Sequence, residues 1–475
     1  MPGLKEYDDL DAVGLAELVR KREVSPSELL DEAIARLDAV EPKINAVPIR
    51  DEQFAHEQIA RGLPEGPFRG VPFLLKNLTL LAGTRTTYGS RAYNDYLAGH
   101  TSTLVERHLR AGLVIFGKTA TPEFGLTFST EPVIHGPTRN PWNTERSTGG
   151  SSGGAAAVVA ARVLPIAHAT DGGGSIRAPA ACCGVFGLKP TRGRTPLGPD
   201  RMEGWAGLST AHAVSISVRD SAALLDATQG PEVGSPYRAP APERPFLEEV
   251  AREPGRLRVA FSDRHPDGTA IDPEVAAATR EVAALLESLG HSVEEQAPSL
   301  TIDPATAMRA IVSANTALTL NQRAAELGRA LTLDDLEFVT FAMREIGAKA
   351  SAPDYIAATI AIHEIGRQLA QFLADFDVYL APTLCLPPLP LGKLDMMTRD
   401  LEAYGRLIGR YAPSTALFNM SGQPSMSVPL AWSRDGLPLG MMFSARYGDE
   451  ATLFRLAGQL EQARPWRGKK PPITA

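Results

Sequence analysis

The sequence predicts an α/β protein in which helices cover both faces of a central β-sheet. The first observation is that short apolar runs alternate along the chain with stretches of helical period, a pattern typical of a sheet flanked by helices. The second is size and composition. The chain has 475 residues, of which 44% are hydrophobic and 22% charged, so it can bury a large core.

In the first quarter of the chain, helix-start signals and apolar runs predict two helices and two strands. Ser25 can cap a helix, and Glu28 completes the capping box. The apolar residues that follow recur at helical spacing. Residues 71–75 are a short apolar run that predicts a strand. Residues 102–109 predict a helix, and residues 113–116 predict a buried strand.

Glycine and alanine composition dominates the predictions for the middle of the chain. Residues 142–154 are rich in Gly, Ser, Thr and Asn and predict a loop, whereas the alanine-rich residues 155–162 predict a helix. A second Gly-rich turn is predicted at 171–175. Farther along, residues 257–295 predict a strand, a helix and a strand in succession.

We expect the whole chain, 1–475, to form a single domain. The motifs that could carry chemistry lie in a core at about 65–215, and characteristic glycines and prolines return at about 401–465. The intervening segment, about 230–400, is mostly helical in pattern over 301–377. We therefore interpret it as an elaboration of one domain.

Composition argues against nucleic-acid, membrane and disulfide-dependent proteins. The formal net charge is −7 and no basic block is present, whereas phosphate binding needs clustered Lys and Arg. Residues 1–16 are charged early and lack a long apolar run, so neither a signal peptide nor a membrane anchor is predicted. The three cysteines, Cys182, Cys183 and Cys385, form no CxxC pair. We expect buried, unpaired thiols in a reducing cytoplasm.

Two loops rich in glycine and serine, 149–154 and 172–175, are the strongest chemical signal. A phosphate-binding loop would need Lys before Ser or Thr in GxxxxGK[ST], which neither loop has. Flexible linkers are disfavoured because apolar segments flank both loops closely. Ser175 follows three glycines at the end of a predicted strand. It is well placed as a nucleophile, since glycine N–H groups can stabilise an oxyanion.

A serine nucleophile needs a base, and the sequence offers two kinds. None of the nine histidines is a convincing partner, and the nearest, His168, suits packing or hydrogen bonding on a buried strand. Lys76 ends the apolar run 71–75 and could act as the base if burial lowers its pKa. Taken alone, a lysine in this position is more often a solvated strand end.

The chain resembles the amidase signature family in three linked motifs that stand in the family's order. The motifs are residues 70–77, 149–154 and 171–180, with further similarity at 191–194, 418–424 and 435–440. The resemblance runs from about residue 10 to about residue 460 and is weakest over 230–400. It implies the amidase signature fold, in which α-helices cover both faces of a central, mixed and twisted β-sheet.

The resemblance also implies a hydrolase of carbon–nitrogen bonds with a serine–serine–lysine triad and no cofactor. Ser175 would be the nucleophile that forms an acyl-enzyme. Ser151 would follow a cis peptide bond and relay a proton between Ser175 and Lys76, the neutral base. The metal-binding patterns HExxH and CxxC are both absent, so no metal is expected.

Supporting roles follow from the same resemblance. The oxyanion hole would be formed by the backbone N–H groups of Gly172, Gly173, Gly174 and Ser175. Ser152 would support the hydrogen-bond network, and Asp171 and Arg177 would form a structural ion pair that braces the loop. Three positions depart from the common pattern: Asn77 replaces an Asp, Gly172 replaces a larger residue, and Ala169 replaces a Gly.

The stretch 130–143, together with His168, resembles the branch that hydrolyses 6-aminohexanoate cyclic dimer, a nylon by-product. Related members cleave aryl amides and carbamates, so we expect a small neutral amide, with carbamates and esters as further candidates. The family pattern implies a pocket lined by Gly125, Leu126, Thr127 and Thr170. Segment 308–356 is rich in Ala, Leu, Met and Phe. It would either complete the pocket or form ordinary helical core.

Two other functions stay open at this stage. The amide-transfer subunit of a tRNA-charging complex would need partner subunits and would pass ammonia to an acceptor, and the stretch 130–143 argues against it. A non-catalytic scaffold would not need Lys76, Ser151 and Ser175 together. The expected partners are a small amide or carbamate substrate and water, without nucleic acid or membrane, and a homodimer is left open.

Overall fold

The computed structural model describes residues 7–475. The first six residues, part of the segment 1–16 interpreted above, lie outside the described residues. The helices are α1 (Ala12–Lys21), α2 (Pro26–Ile44), α3 (Glu52–Ala60), α4 (Thr103–Arg110), α5 (Gly153–Ala160), α6 (Arg177–Cys183), α7 (Val218–Thr228), α8 (Phe246–Glu249), α9 (Pro273–Ser288), α10 (Pro304–Leu327), α11 (Phe338–Ala348), α12 (Ala352–Asp375), α13 (Leu401–Tyr411), α14 (Thr415–Ser421) and α15 (Glu450–Ala463).

The strands form a large mixed sheet and two small ones. The strands are β1 (Ile49–Arg50), β2 (Pro72–Lys76), β3 (Val114–Thr119), β4 (Arg139–Asn140), β5 (Asn143–Ser147), β6 (Ile166–Asp171), β7 (Phe186–Lys189), β8 (Thr210–Ser215), β9 (Arg258–Phe261), β10 (Ser292–Glu295), β11 (Val378–Pro382), β12 (Ser425–Trp432) and β13 (Pro438–Ala445). The eight-stranded sheet has the order β10-β9-β11-β13-β12-β7-β8-β6, parallel from β10 to β11 and antiparallel beyond. The other sheets are β1-β3-β2 and β4-β5.

Alternation along β13 shows that helices cover both faces of the large sheet. Met441 and Phe443 pack in the apolar cluster that contains α9 and α15. Met442, which lies between them, packs instead with α12 and α14. Successive strand residues point to opposite faces of a sheet, so each face has its own helical layer. The predicted fold class, a mixed α/β sheet with helices on both faces, is confirmed.

Local sequence signals account for the elements near the glycine loops. Ser25 accepts a hydrogen bond from the Glu28 N–H, and the Glu28 side chain bonds back to the Ser25 N–H, which confirms the capping box at the start of α2. Helix α5 is buried on every side, as expected for a helix that is apolar all round. Because α5 begins immediately after Ser151 and Ser152, its burial fixes the position of both serines in the interior.

The prediction of a loop over residues 142–154 is wrong in part. Asn143–Ser147 forms strand β5, which pairs with β4 in a two-stranded sheet. This strand was missed because its residues are polar and only Ser147 is buried, so it lacks the apolar alternation by which strands are recognised. The strand–helix–strand series predicted at 257–295 is confirmed as β9, α9 and β10.

The segment 301–377 is helical as predicted, and it contains α10, α11 and α12. Within residues 7–475, no helix is both long enough and apolar enough to cross a membrane. The thiols of Cys182, Cys183 and Cys385 are free and buried, as expected. The assignment of the whole chain to one domain stays a prediction.

Close contact between α10 and α11 gives a stability prediction. A Cβ at Gly347 would come within 1.9 Å of the Ser313 carbonyl oxygen, so Gly347→Ala should force the helices apart and cost about 1–3 kcal/mol of unfolding free energy. Gly405→Ala in α13 is the control, because nothing lies within 4 Å of a Cβ there. It should stabilise by about 0.5–1 kcal/mol. Thermal and urea denaturation of both variants measure the difference, and equal stabilities would contradict the close packing.

Candidate active site

Lys76 is the last residue of β2, and its side chain is enclosed by protein. The five residues of β2 are all buried, and Lys76 is 0% exposed. Its Nζ donates to Ser151 Oγ at 2.7 Å and to Thr170 Oγ1 at 2.9 Å. The first contact brings together two residues of the predicted triad. The second shows that Thr170, predicted to line the substrate pocket, contacts the lysine directly.

Burial lowers the pKa of Lys76 to about 7, and the more distant Asp171 carboxylate partly opposes this effect. Two other lysines, Lys118 and Lys189, are also buried and have pKa values lowered to about 7 by the same cause. Lys118 donates to Thr86, and Lys189 donates to a backbone carbonyl. A lowered pKa therefore does not single out Lys76; its contact with Ser151 does.

Ser151 lies at the start of the chain turn that leads into α5. The peptide bond between Gly150 and Ser151 is cis, as the resemblance implied. Gly150 is required here, because a Cβ would lie 2.5 Å from the Thr127 carbonyl oxygen. Ser152 N donates to the Ser175 carbonyl at 3.2 Å, so the two serine loops lie side by side. Ser152 is also bound through its hydroxyl to the backbone of Thr170.

The loop from β6 to α6, which carries Ser175, is held by the buried Asp171 carboxylate. This carboxylate forms the expected ion pair with Arg177 at 2.9 Å, and both side chains are 0% exposed. It also accepts from the N–H groups of Gly174 at 2.7 Å and Ile176 at 3.0 Å. Burial alone would raise the pKa of Asp171, but Arg177 and hydrogen bonds hold it well below its usual range.

The expected set of oxyanion N–H groups needs one correction. The Gly174 N–H donates to Asp171 Oδ1, so it is already paired within the protein. The N–H groups of Gly172, Gly173 and Ser175 make no hydrogen bond within residues 7–475. Sequence reasoning could not separate these four groups, because the choice depends on which N–H the carboxylate accepts.

Only one of the two hydrogen bonds of the expected proton relay is present. Lys76 bonds to Ser151, whereas the Ser175 hydroxyl makes no hydrogen bond within the described part of the chain. Ser175 is 8% exposed, so its Oγ lies at the edge of the interior. Hydrogen bonds between catalytic groups are often formed only when substrate is bound.

His168 and Asn77 contact the lysine strand without joining the serine pair. His168 Nδ1 accepts from the Lys76 backbone N–H at 3.2 Å, in agreement with the hydrogen-bonding role predicted for this histidine. Burial holds the pKa of His168 well below its usual range. Asn77 Nδ2 donates to Thr87 Oγ1, and Asn77 Oδ1 accepts from the Thr87 N–H. Both polar groups of the Asn77 side chain are therefore paired with Thr87.

The predicted pocket residues occupy different places around the serines. A Cβ at Gly125 would lie 2.9 Å from Ser151 Oγ, so Gly125 is adjacent to Ser151. Leu126 packs against the core, and Thr127 is buried with its backbone carbonyl facing Gly150. From segment 308–356, Met308 reaches the loop, since its Cε lies 2.9 Å from a Cβ position at Gly173.

Three residues near the nucleophile loop were missed. Asn419 bonds to both Asp171 and Arg177, at 2.9 Å and 2.7 Å, and Thr415 donates to the Gly173 carbonyl at 2.6 Å. Trp205 lies against Gly172. Asn419 belongs to the motif 418–424, which was an available signal, whereas no local pattern marks Thr415 or Trp205.

In residues 7–475, no three His, Cys, Asp or Glu side chains form a group that could hold a metal ion.

The structure thus brings the buried Lys76 and the two serine loops together on a mixed α/β fold. The chain belongs to the Amidase family, whose profile matches residues 28–454. It is a hydrolase of amide carbon–nitrogen bonds.

Individual proteins show the same relationship. The 6-aminohexanoate-cyclic-dimer hydrolase of Pseudomonas sp. (strain NK87) is 40% identical over 478 residues, covering 98% of this chain and 96% of that protein. A solved structure of 6-aminohexanoate cyclic dimer hydrolase complexed with substrate has a TM-score of 0.92 at 36% identity, covering 99% of this chain and 100% of that one. A bacterial aryl acylamidase of the amidase signature family has a TM-score of 0.87 at 26% identity, covering 96% of each chain.

The bonds of Asn419 give a prediction for the loop. Asn419→Ala should lower the free energy of unfolding by about 1.5–3 kcal/mol, because it removes buried hydrogen bonds to a charged pair. Amidase activity should fall as well, since the loop that carries Ser175 loses a support. The control is Asn321→Ala on the exposed side of α10, expected within about 0.5 kcal/mol of wild type. If chemical denaturation gives both variants the same stability, Asn419 does not brace the loop.

Proposed function

We propose that this protein hydrolyses small neutral amides through an acyl-enzyme on Ser175, with Ser151 and Lys76 as the proton relay. The observation that carries the proposal is the 2.7 Å hydrogen bond from the buried Lys76 Nζ to Ser151 Oγ, on a loop bonded to the Ser175 backbone. A lysine whose pKa is about 7 is substantially neutral at physiological pH, and a neutral amine can accept a proton.

In the acylation step, Ser175 Oγ attacks the amide carbonyl carbon and forms a tetrahedral intermediate. The Ser175 proton passes to Ser151 Oγ as the Ser151 proton passes to Lys76 Nζ. When the carbon–nitrogen bond breaks, the proton returns through Ser151 to the leaving nitrogen. Water then attacks the acyl-enzyme by the same relay and releases the acid. Ser175 Oγ must turn toward Ser151 for this relay to form.

The negative charge that develops on the carbonyl oxygen needs fixed donors. We assign this role to the unpaired N–H groups of Gly172, Gly173 and Ser175, and no longer to Gly174, whose N–H is bonded to Asp171. Asp171 and Arg177 then act as positioning residues, because they hold the loop and contact no substrate in this scheme.

The surroundings of the loop favour an uncharged substrate. The groups next to Cβ positions built at Gly172, Gly173 and Gly174 are apolar or neutral, namely Trp205, Ser209, Met308, Phe128 and Thr415, and the charge of the nearby Asp171 carboxylate is paired with Arg177. The similarity to 6-aminohexanoate-cyclic-dimer hydrolase supports cyclic amides of the nylon-oligomer type, and that to an aryl acylamidase supports aryl amides. Carbamates and esters belong to the same proposal, since an oxyanion hole acts on any acyl carbonyl.

Two further expectations stay within the proposal. The amide-transfer role in tRNA charging is less supported, because the similar proteins at 40% and 36% identity are hydrolases. A reducing cytoplasm is supported by three cysteines that are free and buried. Neither expectation affects the chemistry assigned to Ser175.

A hydrolysis screen tests the proposed reaction. The wild type is assayed on aryl amides, cyclic diamides, carbamates and esters, and Ser175→Ala should lose essentially all turnover on each because the nucleophile is gone. The variant should keep its fold, checked by thermal denaturation, since it removes one oxygen from the edge of the core. A fluorophosphonate probe should label the wild type at Ser175. Labelling at another serine would overturn the assignment.

The lowered pKa of Lys76 predicts the pH dependence. The base must be neutral, so kcat/KM should rise with pH through about 7 and level off above it. Lys76→Ala should lower activity by orders of magnitude and remove this ascending limb, and Lys76→Arg should not restore it because guanidinium stays protonated.

Lys118→Met is the matched control for this profile. Lys118 is a buried lysine on the neighbouring strand β3, with its pKa also lowered to about 7, but it bonds to Thr86 and not to a proposed catalytic serine. The control should keep the ascending limb even if its stability falls. A Lys76→Arg enzyme with near-normal activity would show that the lysine only positions charge and that the relay is wrong.

A further inference from the structure

We propose that Trp205 determines substrate specificity by placing its indole beside the oxyanion N–H groups, where it selects substrates with a flat apolar group attached to the scissile carbonyl. The proposal rests on the function proposed above. It deepens that function by naming the residue that recognises the substrate and the shape this residue prefers.

The first observation is the contact between Trp205 and Gly172. A Cβ at Gly172 would lie 2.7 Å from Cζ3 and 2.8 Å from Cε3 of the indole, and real Cβ atoms do not come so close. The ring therefore fills the space that a side chain at position 172 would need. This explains why glycine stands where a larger residue is common, and it places an aromatic ring on the Cβ side of a residue whose N–H is assigned to the oxyanion hole.

The second observation is the backbone of Trp205. Trp205 and Ala206 have φ values of 54° and 53°, in the left-handed region that residues with side chains rarely adopt. Leu208 N donates to the Trp205 carbonyl at 3.2 Å, and Ser209 N donates to the Gly204 carbonyl at 3.1 Å. Such a conformation persists only where the surroundings impose it, and it is common at functional sites.

The third observation is that one side chain, Asn419, forms hydrogen bonds both to the segment 204–209 around Trp205 and to the loop that carries Ser175. Asn419 Nδ2 lies 3.0 Å from the Leu208 carbonyl and 2.9 Å from Asp171 Oδ1. Arg192 also holds the loop, since its Nε donates to the Gly207 carbonyl at 2.6 Å. Asp171 also accepts a hydrogen bond from the Gly174 N–H. Hydrogen bonds therefore connect the backbone next to Trp205 with the loop that carries the oxyanion N–H groups.

Met308 extends the same apolar surface. Its Cε lies beside the Cβ position of Gly173, and Met308 and Trp205 pack against the same apolar cluster. Trp205 is only half-buried, which leaves part of the ring open to a ligand. A carbonyl oxygen bound by the N–H groups of Gly172 and Gly173 therefore brings its substituents next to a flat ring and a flexible thioether, and a planar apolar group suits this surface.

The experiment compares substrate selectivity in Trp205→Ala, Trp205→Phe and wild type. Two pairs of amides are used: benzoyl against acetyl with the same amine, and anilide against methylamide with the same acid. In Trp205→Ala, the benzoyl-to-acetyl ratio of kcat/KM should fall roughly tenfold, as for the loss of one good apolar contact, whereas the anilide-to-methylamide ratio should change less than twofold. A fall in the anilide pair alone would contradict the proposal. Trp205→Phe keeps a flat ring and should retain most of the preference.

A binding measurement tests the contact without turnover. In a Ser175→Ala background, an aryl amide should change the tryptophan fluorescence of the four-tryptophan protein, and the change should disappear in Ser175→Ala/Trp205→Phe. The control is Ser175→Ala/Trp432→Phe, because Trp432 forms a tilted pair with Trp142, with ring centroids 6.0 Å apart, and packs against a different apolar cluster from Trp205. This variant should keep the signal.

A compensating variant covers the case in which Trp205→Ala folds poorly. Gly172→Ala should lower kcat/KM because its Cβ meets the indole, and adding Trp205→Ala should recover part of the loss. The inference about Trp205 is wrong if the wild type hydrolyses amides but its benzoyl-to-acetyl ratio changes less than twofold in both Trp205→Ala and Trp205→Phe. The fluorescence change would then also survive in Ser175→Ala/Trp205→Phe. If the wild type hydrolyses no amide, or Ser175→Ala remains active, the proposed function fails instead.

Discussion

The buried carboxylate of Asp171 is the interaction on which the site depends. A carboxylate and a guanidinium with no exposure to water are costly to bury, and they are tolerated only when every polar atom has a partner. Arg177, Asn419 and two N–H groups of the loop provide these partners. These bonds hold the chain from β6 to α6 around the carboxylate. The positions of Ser175 and its flanking glycines follow from this constraint.

The same neighbourhood shows why a perturbed lysine is weak evidence of catalysis by itself. Lys76, Lys118 and Lys189 are all buried, and desolvation lowers the pKa of each to about 7. What differs is the acceptor: a threonine for Lys118, a backbone carbonyl for Lys189, and for Lys76 a serine on a loop bonded to that of Ser175. A neutral amine becomes a candidate base only where its hydroxyl partner lies next to a second hydroxyl that can attack a substrate, as Ser151 lies on a loop bonded to that of Ser175.

Signals of different strength explain which predictions succeeded. The strand that ends at Lys76 was predictable, because a short, unbroken apolar run is typical of a buried strand. The strand Asn143–Ser147 was missed, because a polar surface strand carries no apolar period. Thr170 was predicted as a pocket residue from the family pattern, and its contact with Lys76 Nζ depends on β6 lying beside β2, which no local sequence feature encodes.

The sequence by itself determined the α/β class, the Lys76, Ser151 and Ser175 candidates, and the glycine positions, because these depend on residue type, local period and motif order. Tertiary structure alone decided which N–H groups remain free, which lysine contacts a proposed catalytic serine, and that an indole fills the space beside Gly172. The physical reason is that pairing and exclusion act between atoms distant in sequence. Asn419 and Trp205 reach the loop after 171 from segments that are far from it along the chain.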